Sequence, residues 1–377
     1  MNISPIKKKI AIVSDAIYPY NKGGKEKRIF EISTRLAKRG HYVHIYTMKW
    51  WKGENIKVEN GVTLHAISPL YPLYSGNRRS IKEAIFFALH CFKLLYEDFD
   101  VIEVDHMPHL ILFPLKIVCL IRRKRLIVTW NEVWGRVYWI KYMGILGNIS
   151  YFIEKLSVLM PDEIISVSYH TTKNLKHILG FTKKITTIPN GIDLELIRNT
   201  KPSKNKSDII FAGRLLSHKN IDVLIKSISL LIKKHPKLKC IIIGDGPEKN
   251  KLLKLTDDLK LNHNIVFLNF FKKSKKLYAL MKSSKVFVLP STREGFGIVA
   301  IEANACNIPI ITSKHKDNAA KDLVKKMEGF VIELNDKELA RAIDLQFNQK
   351  FTSNFLESEK KYNWNSITNK VNSIYLK

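Results

Sequence analysis

Short apolar runs recur along this chain at the spacing of strand–helix–strand units, and they limit its fold more than any other feature. Ile209-Ile-Phe-Ala212, Cys240-Ile-Ile-Ile243, Ile265-Val-Phe-Leu268, Val286-Phe-Val-Leu289 and Ile308-Pro-Ile-Ile311 are each followed by a segment of helical length. Apolar runs without polar alternation are the signature of strands buried on both faces of a parallel sheet. Alternating with helices, they predict a doubly wound α/β domain. The first half repeats the plan. Lys9–Ser14 reads as a strand, Lys25–Arg39 as an amphipathic helix stopped by Gly40, and His41–Thr47 as the next strand; Val101–Val104, Leu126–Thr129, Glu163–Val167 and Ile185–Ile188 follow. At 377 residues there is room for two such domains. The polar, proline-broken Lys201–Ser207 reads as a linker. Ligands of such sheets bind beyond the carboxyl ends of the strands, so the expected site is a cleft between the two domains.

Composition narrows the class. Hydrophobic residues at 45% and charged residues at 26% exclude a disordered, collagen-like or polytopic membrane chain. Lys and Arg number 63 against 34 Asp and Glu, a net charge of +29. That field favours a polyanionic neighbour, meaning nucleic acid, an anionic membrane face or a phosphorylated substrate, with a merely solvated lysine-rich surface as the alternative. No helix-turn-helix, zinc-finger or RNA-recognition signature is visible, so no nucleic acid is expected. Cys91, Cys119, Cys240 and Cys306 lie far apart and lack the paired spacing of zinc or redox sites, which suits a reducing compartment. Asp15 interrupts the apolar run Ile10–Val13 after Lys7-Lys8-Lys9, so no signal-peptide core forms. The longest apolar stretch, Leu110–Ile121, contains Pro114 and Lys116 and falls short of the ~20 residues that span a bilayer. A cytoplasmic chain, peripheral at most on the inner face of a membrane, is expected.

The strongest local signal is Leu289-Pro-Ser-Thr-Arg-Glu-Gly-Phe-Gly-Ile-Val-Ala-Ile-Glu302, a strand, a glycine-containing loop and the opening of a helix. Backbone N–H groups there make an anion site, and Gly295 and Gly297 let a phosphate approach. With the helix starting near Gly297, Glu294 lies in the loop and Glu302 more than a turn inside, too far apart for the ~5 Å carboxylate pair of a retaining glycosidase. Arg214 follows the first strand of the second half, with Lys219 at the start of the next helix; two cations at a glycine turn suit a diphosphate. Gly244-Asp-Gly-Pro-Glu248 is a parallel turn, with Pro247 at a first helical position. Gly23-Gly24 opens the first helix toward a phosphate or hydroxyl. Asn307, before Pro309, suits a left-handed helix stop. Asp98-Phe-Asp100 precedes its strand, at the wrong end for a site, and reads as a solvated loop. Dinucleotide and Walker fingerprints are lacking.

In order along the chain, Gly23-Gly24-x-Glu26, Ile188-Pro-Asn-Gly-Ile-Asp193, Gly213-Arg214 with Lys219, Gly244-x-Gly246, and Glu294-Gly-Phe-Gly-Ile-Val299 with Glu302 resemble the motif series of the family 4 glycosyltransferases. The resemblance implies the GT-B fold, two Rossmann-like doubly wound parallel-sheet domains facing a central cleft. It divides the chain into 1–190 on the acceptor side, a linker at 191–207 and a nucleotide-sugar domain at 208–349, with 350–377 returning to the first domain. It implies a retaining transfer from a nucleotide-sugar by same-face displacement, with no cofactor and no catalytic metal. Arg214, Lys219 and Glu294 would be catalytic, the cations on the donor diphosphate and Glu294 on the sugar. Gly23, Gly24, Asn131, Gly246, Phe296, Gly297, Ile298 and Val299 would bind the donor, and Glu302 its ribose. Asn131 stands where the family usually has histidine; it hydrogen-bonds but cannot become cationic. His106 is a candidate on the acceptor side. Phe270-Phe271 replaces a usual glycine-containing pair near the base site.

For the acceptor, Arg122-Arg-Lys-Arg125 followed by Trp130, Trp134, Tyr138, Trp139, Tyr142 and Tyr151 suits an anionic membrane surface, the alternative being aromatic core. The expected acceptor is therefore a glycan or a lipid-linked sugar, in synthesis of cell-envelope polysaccharide, glycolipid or glycoprotein glycan. A soluble glycan acceptor, or a GT-B-like protein that binds a nucleotide-sugar without transfer, is the alternative.

Overall fold

The computed structural model describes residues 7–76, 78–327, 329–349, 351, 359 and 361–377. The chain divides into two compact units, one of residues up to Gly191 together with Trp364–Lys377, the other Ile192–Asn363.

In the first unit the strands are β1 (Lys9–Val13), β2 (Tyr42–Met48), β3 (Ile56–Glu59), β4 (Val62–Ser68), the two-residue pair β5 (Tyr74–Ser75) and β6 (Arg78–Arg79), β7 (Val101–Asp105), β8 (Arg125–Trp130), β9 (Glu163–Ser166) and β10 (Ile185–Thr187). Eight form one sheet in the order β10-β9-β8-β7-β1-β2-β4-β3. All pairings are parallel except β3 with β4. That hairpin turns at Asn60-Gly61, both at positive φ (54° and 78°), the conformation Asn-Gly turns favour. The central strands run buried along their length, as in Val101–Asp105. Helices α1 (Gly24–Lys38), α2 (Ile81–His90), α3 (Leu112–Arg122), α4 (Gly135–Met143), α5 (Gly147–Ser157) and α6 (Tyr169–His177) connect them. The helix Trp364–Tyr375 packs on α1 and buries Trp364, Ile367, Val371 and Ile374; each fully buried side chain of this size contributes about 1.5–3 kcal/mol. Gly191 lies under Trp364: a Cβ there would sit 2.5 Å from the indole. Within the expected segment 350–377, residues 350, 352–358 and 360 lie outside the described residues.

The second unit holds β11 (Ser207–Ala212), β12 (Cys240–Ile243), β13 (Ile265–Leu268), β14 (Ser284–Leu289), β15 (Ile310–Ser313) and β16 (Phe330–Ile332), all parallel, in the order β13-β12-β11-β14-β15-β16. Its helices are α7 (Leu194–Asn199), α8 (Ile221–Leu231), α9 (Lys249–Asp258), α10 (Ser274–Met281), α11 (Ile298–Ala305), α12 (Ala320–Lys326) and α13 (Asp336–Phe347). The change of unit falls at Gly191–Ile192 and not in Lys201–Ser207. The reason is that this stretch is tied down: α7 packs on α10 and α11, the Ser203 N–H donates to the Ala279 carbonyl (2.9 Å), and Lys282 donates to the Thr200 carbonyl (2.8 Å). Three smaller expectations shift. Lys219 lies in a short 3-10 turn ahead of α8. Pro247 sits two residues before α9. Strand β15 starts at Ile310 because Asn307 takes φ +60° and Pro309 has no N–H to pair.

Candidate active site

In the second unit the order of strands reverses between β11 and β14. At such a switch point the loops leaving neighbouring strands part and leave a crevice at their carboxyl ends. Arg214 follows β11 and Glu294 follows β14, so the two loops that flank this point carry the predicted donor-site charges. Lys219 Nζ meets Glu294 Oε1 at 2.5 Å, with both side chains largely buried. Asn220, at φ +49°, staples the loops by donating to the carbonyls of His218 and Pro290 (both 3.0 Å) and to Thr292 Oγ1 (3.2 Å). The Thr292 N–H donates to the His218 carbonyl (2.9 Å).

The Gly244–Gly246 loop braces the Arg214 turn from the other side. Leu215 N–H donates to the Asp245 carbonyl (2.9 Å) and Glu248 N–H to the Leu215 carbonyl (3.1 Å). A Cβ on Gly246 would stand 2.9 Å from the Leu215 carbonyl carbon, so close packing is what requires glycine there.

Gly297 caps α11 at φ +85°, and a Cβ on it would lie 2.6 Å from the Ala320 Cβ. Glu294 is pinned through its own main chain, N–H to Asp317 carbonyl (3.1 Å) and carbonyl from Ala319 N–H (2.9 Å). Buried Asn318 sets that partner loop, donating to Thr312 Oγ1 and the Ser313 carbonyl. Phe296 is buried, its ring 6.3 Å from that of Tyr362, and Ile298 and Val299 follow it in the first turn of α11. Early N–H groups of a helix lack acceptors within it, and together with the helix dipole they attract anions. Glu302 accepts the hydroxyl of buried Tyr278 at 2.7 Å; burial, with that carboxylate beside it, pushes the phenol far above its ordinary range.

In the first unit the reversal falls between β1 and β7, and a buried charge cluster occupies the carboxyl ends there. Lys25 Nζ bridges Asp15 (2.6 Å) and Asp105 (3.6 Å) and donates to the Met107 carbonyl (3.2 Å). Arg79 pairs with Asp15 and, at 3.5 Å, with Glu83. Burial opposes the charge on Asp15 and on Lys25, but their mutual attraction prevails, lowering the Asp15 carboxyl and raising the Lys25 ammonium. Burial, with Asp15 beside it, pushes Glu83 up to about 8. With Glu83 protonated, two cations face two carboxylates, which is how buried charge becomes tolerable.

Asn131 belongs to this cluster. Its amide Nδ2 donates to Asp105 Oδ2 at 2.5 Å, while Thr171 Oγ1 donates to its carbonyl (3.1 Å). Gly23 is the N-cap of α1 with the Glu26 carboxylate against it, whereas a Cβ on Gly24 would meet nothing within 4 Å. His106, the acceptor-side candidate, is 2% exposed and stacks on the Trp130 ring at 5.0 Å. Asp15, Lys25, Arg79 and Glu83 were not among the sequence candidates; the signal for Asp15 was its place directly beyond an apolar strand.

In the basic and aromatic segment, the aromatic-core alternative holds for part of the ring set. Arg125 pairs with Glu163 (3.0 Å) and Lys124 with Asp100 (3.9 Å), so the basic run faces several ways. Trp130 and Trp139 are buried, and Trp134 packs on Trp139 at 4.4 Å. Asp98 and Asp100 pair with Lys9 at the amino ends of the strands, as a solvated loop. All four cysteines are free and buried. Among the described residues no helix is long and apolar enough to cross a membrane, and no three His, Cys, Asp or Glu side chains converge as a metal site would require.

Comparison with known proteins agrees with this layout. The family profile for glycosyl transferases group 1 matches residues 193–366 and that for glycosyltransferase family 4 matches residues 22–196. An uncharacterized glycosyltransferase of Methanocaldococcus jannaschii is 27% identical over 97% of both chains. The phosphatidylinositol N-acetylglucosaminyltransferase gpi3 subunit of Schizosaccharomyces pombe is 25% identical over 97% of this chain and 79% of its own. The capsular polysaccharide biosynthesis glycosyltransferase CapM of Staphylococcus aureus is 30% identical over 54% of this chain and 56% of its own. Two solved structures share the fold. They are the sucrose-phosphate synthase of Thermosynechococcus elongatus (TM-score 0.76, 17% identical, 97% and 98% covered) and Anabaena HepE in complex with UDP and glucose (TM-score 0.73, 18% identical, 97% and 99% covered).

Proposed function

This chain belongs to the family 4 glycosyltransferases, enzymes of the GT-B fold, and from that premise we propose that it transfers a sugar from a nucleotide-sugar to a glycan or lipid-linked acceptor, with retention and without a metal. The observation that carries the reading is the Lys219–Glu294 pair beside the Arg214 turn, at the carboxyl ends of the two strands flanking the second unit's switch point. Support for a nucleotide donor comes from the fold neighbour solved with UDP and glucose, and for a polysaccharide or lipid acceptor from the names of the relatives.

Breaking a glycosyl–phosphate bond leaves positive charge on the sugar and adds negative charge to the departing diphosphate. Arg214, Lys219 and the first turn of α11 hold fixed positive ends for that diphosphate, and groups fixed in advance need no reorganisation as charge develops. Glu294, held by Lys219, addresses the sugar hydroxyls, and Glu302, held by Tyr278, the ribose. In same-face displacement the acceptor oxygen bonds to the anomeric carbon as the phosphate oxygen leaves, and that oxygen takes the acceptor's proton. Asn131 remains a substrate-binding group of the first unit.

The test is thermal stabilisation by a panel of nucleoside diphosphates and nucleotide-sugars in EDTA, repeated with Arg214→Ala. A ligand that binds only the folded state raises the melting temperature. The expected result is a shift selective for one base that the variant loses. No shift with any nucleotide would favour a protein that has lost transfer.

A further inference from the structure

The hairpin of α4 and α5 has apolar side chains on two sides, and among the described residues only one side is packed. Inward, Trp139 is buried against Trp134, and the buried carboxylate of Glu154 ties the pair together. It accepts the N–H groups of Trp134 (2.8 Å) and Gly135 (2.9 Å) and the Trp139 indole N–H (2.8 Å). A Cβ on Gly147 would stand 2.5 Å from the Ile140 main-chain nitrogen, so only glycine lets α5 start this close to α4. The hairpin is thus a braced element.

Outward, Val137 is 80% exposed, Ile145 90%, Leu146 51%, Ile149 58% and Phe152 59%. Positions 145, 149 and 152 recur at the helical spacing that lines up one stripe. Lone exposed apolar side chains are ordinary, whereas a cluster of bulky ones on one element marks a docking surface. The charges beside them are of one sign: Arg136, Lys141 and Lys155 are exposed, and from Val133 to Pro161 the sequence holds one acid, the buried Glu154. The exposed apolar residues of α3 lie in a more mixed setting: Lys116 and, just past the helix, Lys124 pair with Asp162 and Asp100, and Arg122 donates to the Glu97 carbonyl.

We propose that the α4–α5 hairpin, with Ile145 and Leu146 at its tip, inserts into the headgroup region of an anionic bilayer while Arg136, Lys141 and Lys155 meet lipid phosphates. This rests on the membrane-side, lipid-linked acceptor reading above and names the element that would serve it. Apolar insertion joined to cationic contact is the physics of interfacial attachment, and a hairpin whose exposed charges are all cationic fits an anionic lipid face better than a mixed-charge protein partner.

The experiment is flotation of the full chain with vesicles of phosphatidylglycerol and phosphatidylcholine, and with phosphatidylcholine alone, in low and high salt. It is repeated with Ile145→Asp/Ile149→Asp and with Arg136→Gln/Lys141→Gln/Lys155→Gln. The expected result is binding to the anionic vesicles that weakens with salt and falls at least about tenfold in each variant. Melting temperature and nucleotide stabilisation should stay as in the parent, which separates lost docking from lost folding. Binding undiminished in both variants would overturn the hairpin and leave the membrane reading standing. No binding by the parent would sink both, and a concentration-dependent dimer abolished by Ile145→Asp/Ile149→Asp would assign the face to a second copy.

Discussion

Substituting Gly297 by alanine tests the loop between β14 and α11, because the cost of the added methyl can be worked from geometry. Carbon atoms rest about 3.5–4.0 Å apart, and the new Cβ would lie 2.6 Å from the Ala320 Cβ, so the cap of α11 or the start of α12 must give by about 1 Å. A φ of +85° adds strain that glycine avoids, of about 1–2 kcal/mol for an L side chain, and overpacking adds about 1–3 kcal/mol. Melting of the second unit should then fall by roughly 4–20 °C, taking about 2–4 °C per kcal/mol at this size. A 1 Å shift of the loop should also cost about 100-fold in turnover and weaken nucleotide stabilisation. The double variant Gly297→Ala/Ala320→Gly isolates the contact: it should recover the overpacking part while the strain persists, giving a coupling of about 1–3 kcal/mol. Calorimetry of the four proteins of the cycle measures it. Zero coupling would refute the steric argument, and a neutral Gly297→Ala would refute the whole account of why that position is glycine.

Other perturbations separate burial from function. Gly24→Ala should leave melting unchanged or slightly raised, since its Cβ meets nothing within 4 Å; a normal melt with impaired activity would mean that substrate needs the room. Glu83→Gln should change the pH profile of stability. The folded carboxyl keeps its proton up to about 8 against an ordinary 4.5, so the unfolded state binds fewer protons between those values and wild-type stability declines as pH rises through them. The variant's melting temperature should therefore gain on the wild type from pH 5 to pH 8 by a few degrees, and parallel curves would show Glu83 to be ionised when folded. Tyr278→Phe removes a hydrogen bond to a carboxylate, of about 1.5–3 kcal/mol, and should weaken nucleotide affinity roughly tenfold or more by titration calorimetry; unchanged affinity would take Glu302 off the ribose.

What the sequence disclosed depended on whether a residue's reason was local. The central strands were legible because burial on both faces leaves near-continuous Ile and Val, as in Cys240–Ile243. Asn307 was legible because its left-handed turn is a local choice. The β3–β4 hairpin was missed although Asn60-Gly61 announced it, because its outer strand has an exposed, mixed face. Half-buried β16, three residues long at the sheet's edge, gave too little pattern to find. In the loops at the second unit's switch point, motif order singled out Arg214, Lys219 and Glu294, while Asn220 and Asn318, which fix those loops, look like ordinary turn residues until the loops meet. The charge cluster of the first unit failed for the same reason. Lys25 and Asp105 stand 80 positions apart in number, and only the folding of β1 against β7 makes them neighbours.

The helix Trp364–Tyr375 gives the two units different histories on the ribosome. Residues 192–363 are contiguous, so the second unit has its whole complement of strands before the helix that completes the first has been made. A nascent chain stopped short of Trp364 would carry a finished second unit joined to a first whose α1 still exposes the face that the helix covers, and domains fold as their residues emerge. Limited proteolysis of such stalled chains would cut within the first unit and spare the second. The unit begun first is the one closed last, so any editing of the tail is felt by the earliest-made half of the protein.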